Sequence, residues 1–289
     1  MDYASLDTFL TDAKPGLFKG PVAMIFVEDL VEVESTIAHH LDAGFTPVIV
    51  FAPKALELPA EIGARIHRIS YDLYAPLAVT VAVNKVIEAV AEGTWLYYCF
   101  NSEYLFWPFC ETRNIRELLA FHTEERRSAM LTYTVDLYAP DLEVAPSGVN
   151  LQGTMIDRSG YFALARIDPA TGHPKDRQLD FHGGLRWRFE EFVPVERRKI
   201  DRIALFRAKK GLKLLPDHIL NEDELNTYAC PWHHNMTATI ASFRVAKALK
   251  FNPGSTFMID SFKWYNSVPF DWHSQQLMDL GLMEPGQWF

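Results

Sequence analysis

The sequence predicts an α/β fold: a single domain with a Rossmann-like, mostly parallel sheet and a loop-rich C-terminal half. Two apolar runs, residues 22–27 and 47–51, flank a helical pattern over residues 31–43, and this strand–helix–strand order is typical of a parallel sheet. A third run, Trp95–Phe100, has the unbroken apolar character of a strand covered on both faces. The first hundred residues therefore predict the beginning of a parallel sheet.

Composition limits the function classes. The 289 residues are 48% hydrophobic, enough for one large globular core. With 28 basic and 37 acidic side chains, the formal net charge is -9. A nucleic-acid surface needs clustered excess Lys and Arg, so nucleic acid is excluded as a partner.

The expected compartment is the cytoplasm. The first ten residues lack the basic start of a secretory signal, and no apolar run is long enough for a transmembrane segment. Three cysteines without a C-x-x-C pair favour reduced thiols over a disulfide framework. The aromatic content of 13% leaves peripheral contact with a membrane open.

Further elements follow from the same periodicities. Residues 65–70 and 129–135 predict strands, and residues 77–91 and 115–122 predict helices. The C-terminal half predicts a long functional loop with some local structure over 138–179, a hairpin of strands 203–207 and 212–215, and a helix over 236–249. The predicted parts of the domain are residues 20–135, residues 136–250 and an aromatic extension at 251–289.

Polar residues follow the predicted strands at their carboxyl ends, where open α/β sheets bind ligands. Glu28 and Asp29 follow the first strand, and Asn101, Ser102 and Glu103 follow the run Trp95–Phe100. These side chains therefore predict one edge of a binding site.

The run from Trp95 to Tyr104 resembles the central strand of family 2-like glycosyltransferases, in which a Trp-led apolar strand ends in Asp-x-Asp-Glu and an aromatic residue. The glutamate matches Glu103, whereas the two aspartates are replaced in the run Phe100-Asn101-Ser102, so the chain resembles a divergent member. Residues 38–45, A-H-H-L-D-A-G-F, are similar to the end of the family's first helix. The resemblance covers roughly residues 20–250 and implies a nucleotide-sugar-binding half at 20–135 and an acceptor half at 136–250.

The resemblance implies a GT-A-like fold and transfer of a sugar from a nucleotide-sugar donor to a saccharide or related acceptor. It also places Asp136, at the end of strand 129–135, on the acceptor side; a turn aspartate before Ala139-Pro140 is the alternative.

Gly183-Gly184 would let the backbone approach a ligand while the guanidinium of a following arginine binds a diphosphate through two hydrogen bonds, although a simple turn has the same pattern. Glu103 and Asp136 are the candidate catalytic residues, and the candidate donor-binding residues are Glu28, Asp29, Asn101, Ser102, Gly183, Gly184, Arg186 and Arg188.

In the resembling family a divalent metal bridges the donor diphosphate. Here Glu103 with His218, His233 and His234 is the candidate ligand set, because imidazole and carboxylate groups bind Mn or Zn. Losing both aspartates predicts weak or absent affinity for Mn or Mg.

Three functions stay open from the sequence. The first is an active glycosyltransferase, and the second is a degenerate member that binds a sugar or a protein without chemistry. The third is a nucleotidyltransferase-like enzyme, although the Gly-rich phosphate loop of such enzymes does not follow the first strand.

Overall fold

The structure is a computed structural model that describes residues 1–13 and 16–288. Residues 14, 15 and 289, which fall within the predicted domain limits, lie outside the described residues. The predicted α/β class is confirmed, and the described chain contains a mixed sheet of 11 strands.

The helices are α1 Leu6–Asp12, α2 Val33–Asp42, α3 Ala60–Gly63, α4 Ala78–Ala89, α5 Ile115–Glu124, α6 Gly184–Arg188, α7 Arg244–Phe251 and α8 Ser274–Asp279. The strands are β1 Asp2–Tyr3, β2 Val22–Phe26, β3 Val48–Ala52, β4 His67–Ser70, β5 Trp95–Phe100, β6 Glu103–Phe106, β7 Ala129–Tyr138, β8 Met155–Asp157, β9 Phe162–Ile167, β10 Pro174–His182, β11 Asp201–Arg207, β12 Ala238–Ser242 and β13 Ser267–Pro269.

The chain forms two compact units that interleave along the sequence. The first unit comprises Met1–Tyr104, Thr112–Met130 and Ile203–Asn226, and the second comprises Leu105–Glu111, Leu131–Arg202 and Thr227–Phe289. The predicted limits at 20–135, 136–250 and 251–289 divide the chain consecutively instead, and they stay predictions.

The first unit contains the predicted parallel ladder, in the order β1-β4-β3-β2-β5. Every residue of β2 and β3 is buried, as expected for strands covered on both faces. By chain order, α2 connects β2 to β3 and α4 connects β4 to β5. β11 pairs antiparallel with β5, which makes the sheet mixed rather than uniformly parallel.

The second unit is built around β7, which pairs in parallel with β12 and antiparallel with β8. β13 extends β8, and β9 and β10 form a separate two-stranded antiparallel sheet. An apolar cluster of the second unit surrounds the fully buried Phe262, whose ring packs edge-on against Tyr138 and Phe189. This cluster anchors the chain that follows α7.

Three local predictions for the C-terminal half are wrong. The predicted helix over 236–249 begins as β12, because Thr237, Thr239 and Ile240 are β-branched and suit a buried strand better than a helix. The predicted strand at 212–215 is absent from the described chain, where only a single bridge joins Leu214 to Leu220. The predicted loop over 138–179 contains β8, β9 and part of β10.

No helix among residues 1–13 and 16–288 combines the length and the apolar character needed to cross a membrane.

The Phe262 cluster gives a direct test of the fold. Phe262→Ala should lower the free energy of unfolding by about 3–5 kcal/mol, because it removes a large buried ring and leaves a cavity. Phe257→Ala, on the same segment but 86% exposed, should change it by less than about 0.5 kcal/mol. Urea denaturation followed by tryptophan fluorescence measures both. Equal losses in the two variants would contradict this packing.

Candidate functional site

Asn101 ties the turn after β5 to the loop after β2 within the first unit. Its Nδ2 donates to the carbonyl of Asp29 at 3.1 Å, to Asp29 Oδ1 at 2.8 Å and to the carbonyl of Val31 at 2.8 Å. Its Oδ1 accepts from the Glu28 N–H at 2.9 Å. Asn101 is fully buried, so its amide satisfies backbone groups that water does not reach.

Ser102 and Glu103 complete the same turn and are also fully buried. The Ser102 hydroxyl donates to the carbonyl of Val31 at 2.7 Å, and its N–H donates to Thr36 Oγ1 at 2.8 Å. Glu103 Oε2 accepts from the N–H of Phe100 at 2.9 Å and so closes the turn. These hydrogen bonds give Asn101, Ser102 and Glu103 a structural role in closing the turn. The donor-binding roles of Glu28, Asp29, Asn101 and Ser102, and the catalytic role of Glu103, stay predictions.

This turn does not fit a Mn or Mg ion, which needs several oxygen ligands. Phe100 has no ligand atom, and the hydroxyl of Ser102 and the carboxylate of Glu103 are used within the chain. Across residues 1–13 and 16–288, no three His, Cys, Asp or Glu side chains form a group that could hold a metal ion.

The candidate histidines occur in both units. In the first unit, His218 lies beside Phe100, with ring centroids 6.5 Å apart, and its Nδ1 lies 2.9 Å from the Tyr98 hydroxyl. In the second unit, His233 and His234 belong to a turn in which the Cys230 N–H donates to the carbonyl of His233 at 2.8 Å. Metal roles for His218, His233 and His234 stay predictions.

An open groove of about 520 Å³ lies beside the loops that follow β2 and β3 in the first unit. Glu32, Glu34 and Glu57 are among the side chains that line it. A diphosphate in this groove would face three carboxylates, which repel it electrostatically.

Asp136 begins a second polar site, entirely within the second unit. It lies near the carboxyl end of β7 and is 1% exposed. Its Oδ2 accepts from the Arg186 N–H at 3.2 Å, and its Oδ1 lies 3.4 Å from Arg186 Nε. The Arg186 guanidinium also donates to the carbonyl of Lys199 at 2.6 Å. A buried carboxylate and a buried guanidinium therefore compensate each other here.

Gly183 and Gly184 permit this close approach. A Cβ at position 184 would lie 2.8 Å from Asp136 Oδ2, and one at position 183 would lie 2.3 Å from the Tyr161 ring. Both glycines have positive φ, 150° and 65°, which side chains disfavour. The predicted close backbone approach at the glycine pair thus occurs, but toward Asp136 and Tyr161.

Asp157, at the end of β8, forms a second carboxylate–arginine pair. Its Oδ2 lies 3.3 Å from Arg188 Nε, and its Oδ1 accepts from Trp264 Nε1 at 2.7 Å and from the Tyr138 hydroxyl. The Arg188 guanidinium lies over the Trp264 ring, 4.7 Å from its centroid, and donates to the carbonyl of Phe262. This pair links β7, β8, α6 and the segment after α7.

We call these residues the Asp136 cluster: Asp136, Tyr138, Asp157, Tyr161, Arg186, Arg188 and Trp264.

Burial dominates the ionisation of the cluster. It raises the pKa of Asp136 to about 6, against the lowering effect of Arg186. Burial also raises the pKa of Asp157, opposed by Arg188 and by the bonds from Tyr138 and Trp264. The pKa of Tyr161 is raised well above its usual value by burial and then by the charges of Asp157 and Asp136. Asp136 is thus a stronger base than an ordinary aspartate, and it titrates near neutral pH.

Several buried polar atoms of the cluster have no hydrogen-bond partner among the described residues. They are Asp136 Oδ1, Asp157 Oδ2, Tyr161 Oη and Arg188 Nε. Asp136 Oδ1 and Asp157 Oδ2 nevertheless lie 3.4 Å and 3.3 Å from the Nε atoms of Arg186 and Arg188, so the ion pairs compensate their burial. The Tyr161 hydroxyl is the atom of this group that has neither a hydrogen bond nor an ion pair among the described residues.

The sequence predicts three of the seven residues of the Asp136 cluster as site residues. Asp136, Arg186 and Arg188 were candidates, but their mutual contacts were not predicted, and both guanidinium groups contact carboxylates instead of projecting into a groove. Donor binding by Gly183, Gly184, Arg186 and Arg188 stays a prediction. Asp157 and Tyr161 were missed. The only local signal for Asp157 is that it ends the short apolar run 155–156.

Comparison with models of known protein families and with curated proteins gives no match for this chain. The likeness to family 2-like glycosyltransferases therefore rests on the sequence motifs, and the function must be argued from the geometry of the two sites.

The raised pKa of Asp136 predicts a pH-dependent stability. Because the folded-state pKa of about 6 lies above the ordinary 3.8, the folded state favours the protonated form. This contribution is fully present below pH 3.8 and is lost as the pH rises through 6. Asp136→Asn cannot ionise at this position. As the pH rises from 4 to 7, the difference in free energy of unfolding between variant and wild type should therefore shift in favour of the variant by up to about 3 kcal/mol.

Chemical denaturation at a series of pH values measures this difference. Asp260→Asn, at an exposed position in the same unit, is the matched control and should follow the wild-type curve. Parallel curves for Asp136→Asn and wild type would show that Asp136 does not titrate in this range.

Proposed function

We propose that the chain is a glycosyltransferase that moves a sugar from a nucleotide-sugar donor to a hydroxyl of a saccharide acceptor, with Asp136 as the general base. The observation that carries the proposal is Asp136 itself: a buried strand-end carboxylate with a pKa of about 6, beside both the backbone N–H and the guanidinium of Arg186. The sequence motifs support the reaction class, and the cluster supports the choice of residue.

A base for this reaction must accept a proton at neutral pH and lose it again afterwards. A carboxyl group with a pKa near 6 meets both requirements better than one near 4, because base strength rises with pKa while the group stays mostly ionised at pH 7. The Arg186 N–H fixes Oδ2. Oδ1 lies 3.4 Å from Arg186 Nε and has no hydrogen bond among the described residues, so it is the oxygen that would accept from a substrate hydroxyl.

The reaction balances with these groups. The acceptor hydroxyl donates its proton to Asp136 Oδ1 while its oxygen attacks the anomeric carbon of the donor sugar. The bond between that carbon and the diphosphate oxygen breaks, and the electron pair leaves with the nucleoside diphosphate. The Arg186 guanidinium stabilises the ionised Asp136 before the proton arrives.

Asp136 is buried, so a substrate must displace a neighbouring side chain to reach it. Tyr161 is the candidate, since its ring packs on Gly183 and its hydroxyl has no hydrogen-bond partner among the described residues. An acceptor hydroxyl would take the place of the Tyr161 hydroxyl as the Tyr161 ring moves off Gly183.

A second candidate function is sugar binding without transfer. The turn at Asn101, Ser102 and Glu103 favours it, because the residues at the Asp-x-Asp-Glu position are used internally and do not fit a divalent ion. The three glutamates of the neighbouring groove also oppose a donor diphosphate. In that case the Asp136 cluster would hold saccharide hydroxyls only.

The proposal predicts the outcome of one assay. The purified chain is incubated with a panel of nucleotide sugars and saccharide acceptors, and nucleoside diphosphate and glycosylated product are measured. Wild type should turn over, with kcat/KM falling as the pH decreases below about 6. Asp136→Asn should lower kcat by about 100-fold to 10,000-fold, whereas Asp260→Asn should match wild type.

Two further results would decide against the assignment. A loss of turnover in Glu103→Gln together with a normal Asp136→Asn would place the base at Glu103. A thermal shift with a saccharide but no product from any nucleotide sugar would favour the binding function over transfer.

A further inference from the structure

A row of aromatic rings crosses the surface of the second unit. We call it the aromatic arc: Phe162, His182, Trp187, Trp264 and Tyr265. The Phe162 ring stacks on the His182 ring with centroids 5.2 Å apart, and the Trp187 ring meets Phe162 edge-on at 6.3 Å. These contacts make three of the rings one continuous surface.

Gly160 joins this surface to the other two rings. A Cβ at position 160 would lie 3.4 Å from the Trp187 ring and 3.7 Å from the Trp264 ring, so both indoles flank this stretch of backbone. The Trp264 and Tyr265 rings are 4.8 Å apart. With a φ of 96° and no side chain, Gly160 leaves the space between the two indoles open.

The arc is exposed but fixed. Phe162 is 42% exposed, Trp187 43% and Tyr265 81%. Trp264 is half-buried, and its Nε1 donates to Asp157 Oδ1 at 2.7 Å. Rings that contact one another while open to water are pre-organised to receive a ligand.

The arc adjoins the site around Asp136. Its Phe162 pairs with His182 across β9 and β10. Tyr161 directly precedes Phe162, and its ring packs on Gly183, which directly follows His182. Gly184, the next residue, lies against Asp136. A ligand on the arc would therefore reach the proposed base by passing over Tyr161.

The chemistry of the arc indicates the class of this ligand. Its rings contain no carboxylate, ammonium or guanidinium group, so they favour flat apolar faces over a charged group. A pyranose ring has C–H faces and hydroxyl edges. Its edges would bond Asp136 Oδ1 and the Tyr161 hydroxyl, two buried atoms without a hydrogen bond among the described residues.

We propose that the aromatic arc binds the sugar unit next to the one whose hydroxyl is held at Asp136, so that the acceptor is an oligosaccharide and not a monosaccharide. The inference rests on the proposed function, since it places the reacting unit at Asp136. The reacting unit takes the place of the Tyr161 hydroxyl, and its neighbour stacks on Phe162 and Trp187.

Calorimetry with sugars of two lengths tests the proposal. The probes are cellotetraose, maltotetraose, chitotetraose and mannotetraose, each compared with its own monosaccharide. Wild type should bind one of these tetrasaccharides at least about tenfold more tightly than the monosaccharide, because additional C–H surface leaves water on the rings. The double variant Phe162→Ala/Trp187→Ala should lose this gain with length and keep the affinity for the monosaccharide. Ile167→Ala, 51% exposed at the far end of β9 and outside the arc, should behave like wild type.

The arc and the transfer reaction can fail separately. Length-dependent binding that the double variant loses supports the arc even when no nucleotide sugar yields product, a result that removes only the transfer. Wild type that binds no tetrasaccharide, or binds none more tightly than its monosaccharide, overturns the arc, and product formed at the same time would leave the transfer in place.

Three other results would also overturn the proposal. Equal gain with length in wild type and the double variant places the second sugar unit elsewhere. Binding of uridine diphosphate that only the double variant loses assigns the rings to the base of a nucleotide. Light scattering that finds a dimer for wild type and a monomer for the double variant assigns them to contact between copies of the chain.

Discussion

The two carboxylate–arginine pairs of the second unit, Asp136 with Arg186 and Asp157 with Arg188, are the interaction on which that unit depends. All four side chains are removed from water, and each charge is tolerable only because its partner is present. Removing one partner from such a pair typically costs about 3–5 kcal/mol, since it leaves an uncompensated buried charge. The pairs therefore fix the relative positions of β7, β8 and α6 more than they add net stability.

The same pairs explain the chemistry of the site. Burial makes ionisation of Asp136 costly, and Arg186 offsets only part of that cost, so the pKa stays above its usual value. A hydrogen bond from the backbone of Arg186 orients the carboxylate. Burial thus makes Asp136 a stronger base than an ordinary aspartate. The backbone of Gly184 can lie close to this carboxylate because glycine carries no side chain.

At the turn after β5, the polar residues of the strand end are satisfied by hydrogen bonds and not by an ion pair. Asn101 and Ser102 are neutral, so they can be buried by hydrogen bonds alone, without a cation. The amide of Asn101 reaches the backbone of residues 28–31 and holds the loop after β2 against the turn. Phe100 and Ser102 at this strand end are therefore compatible with a closed, stable turn.

Local sequence patterns predicted the parallel ladder because β2, β3 and β5 are apolar throughout and need covering on both faces. They failed where tertiary contacts decide the structure. The run at 236–249 has apolar residues at helical spacing, yet pairing with β7 makes its first part a strand. Asp136 was recognisable as a polar strand end, whereas the contacts of Asp157 with Tyr138 and Trp264 join residues 19 and 107 positions apart, which no periodicity reveals.

Carbon NMR of the side-chain carboxyl groups measures the ionisation of Asp136 directly. The Asp136 resonance would be assigned by its absence from Asp136→Asn and followed across a pH titration of the folded protein. We expect a midpoint near 6, well above the ordinary 3.8. A midpoint at or below 3.8 would show that Arg186 outweighs burial, and it would contradict the assignment of Asp136 as a base at neutral pH.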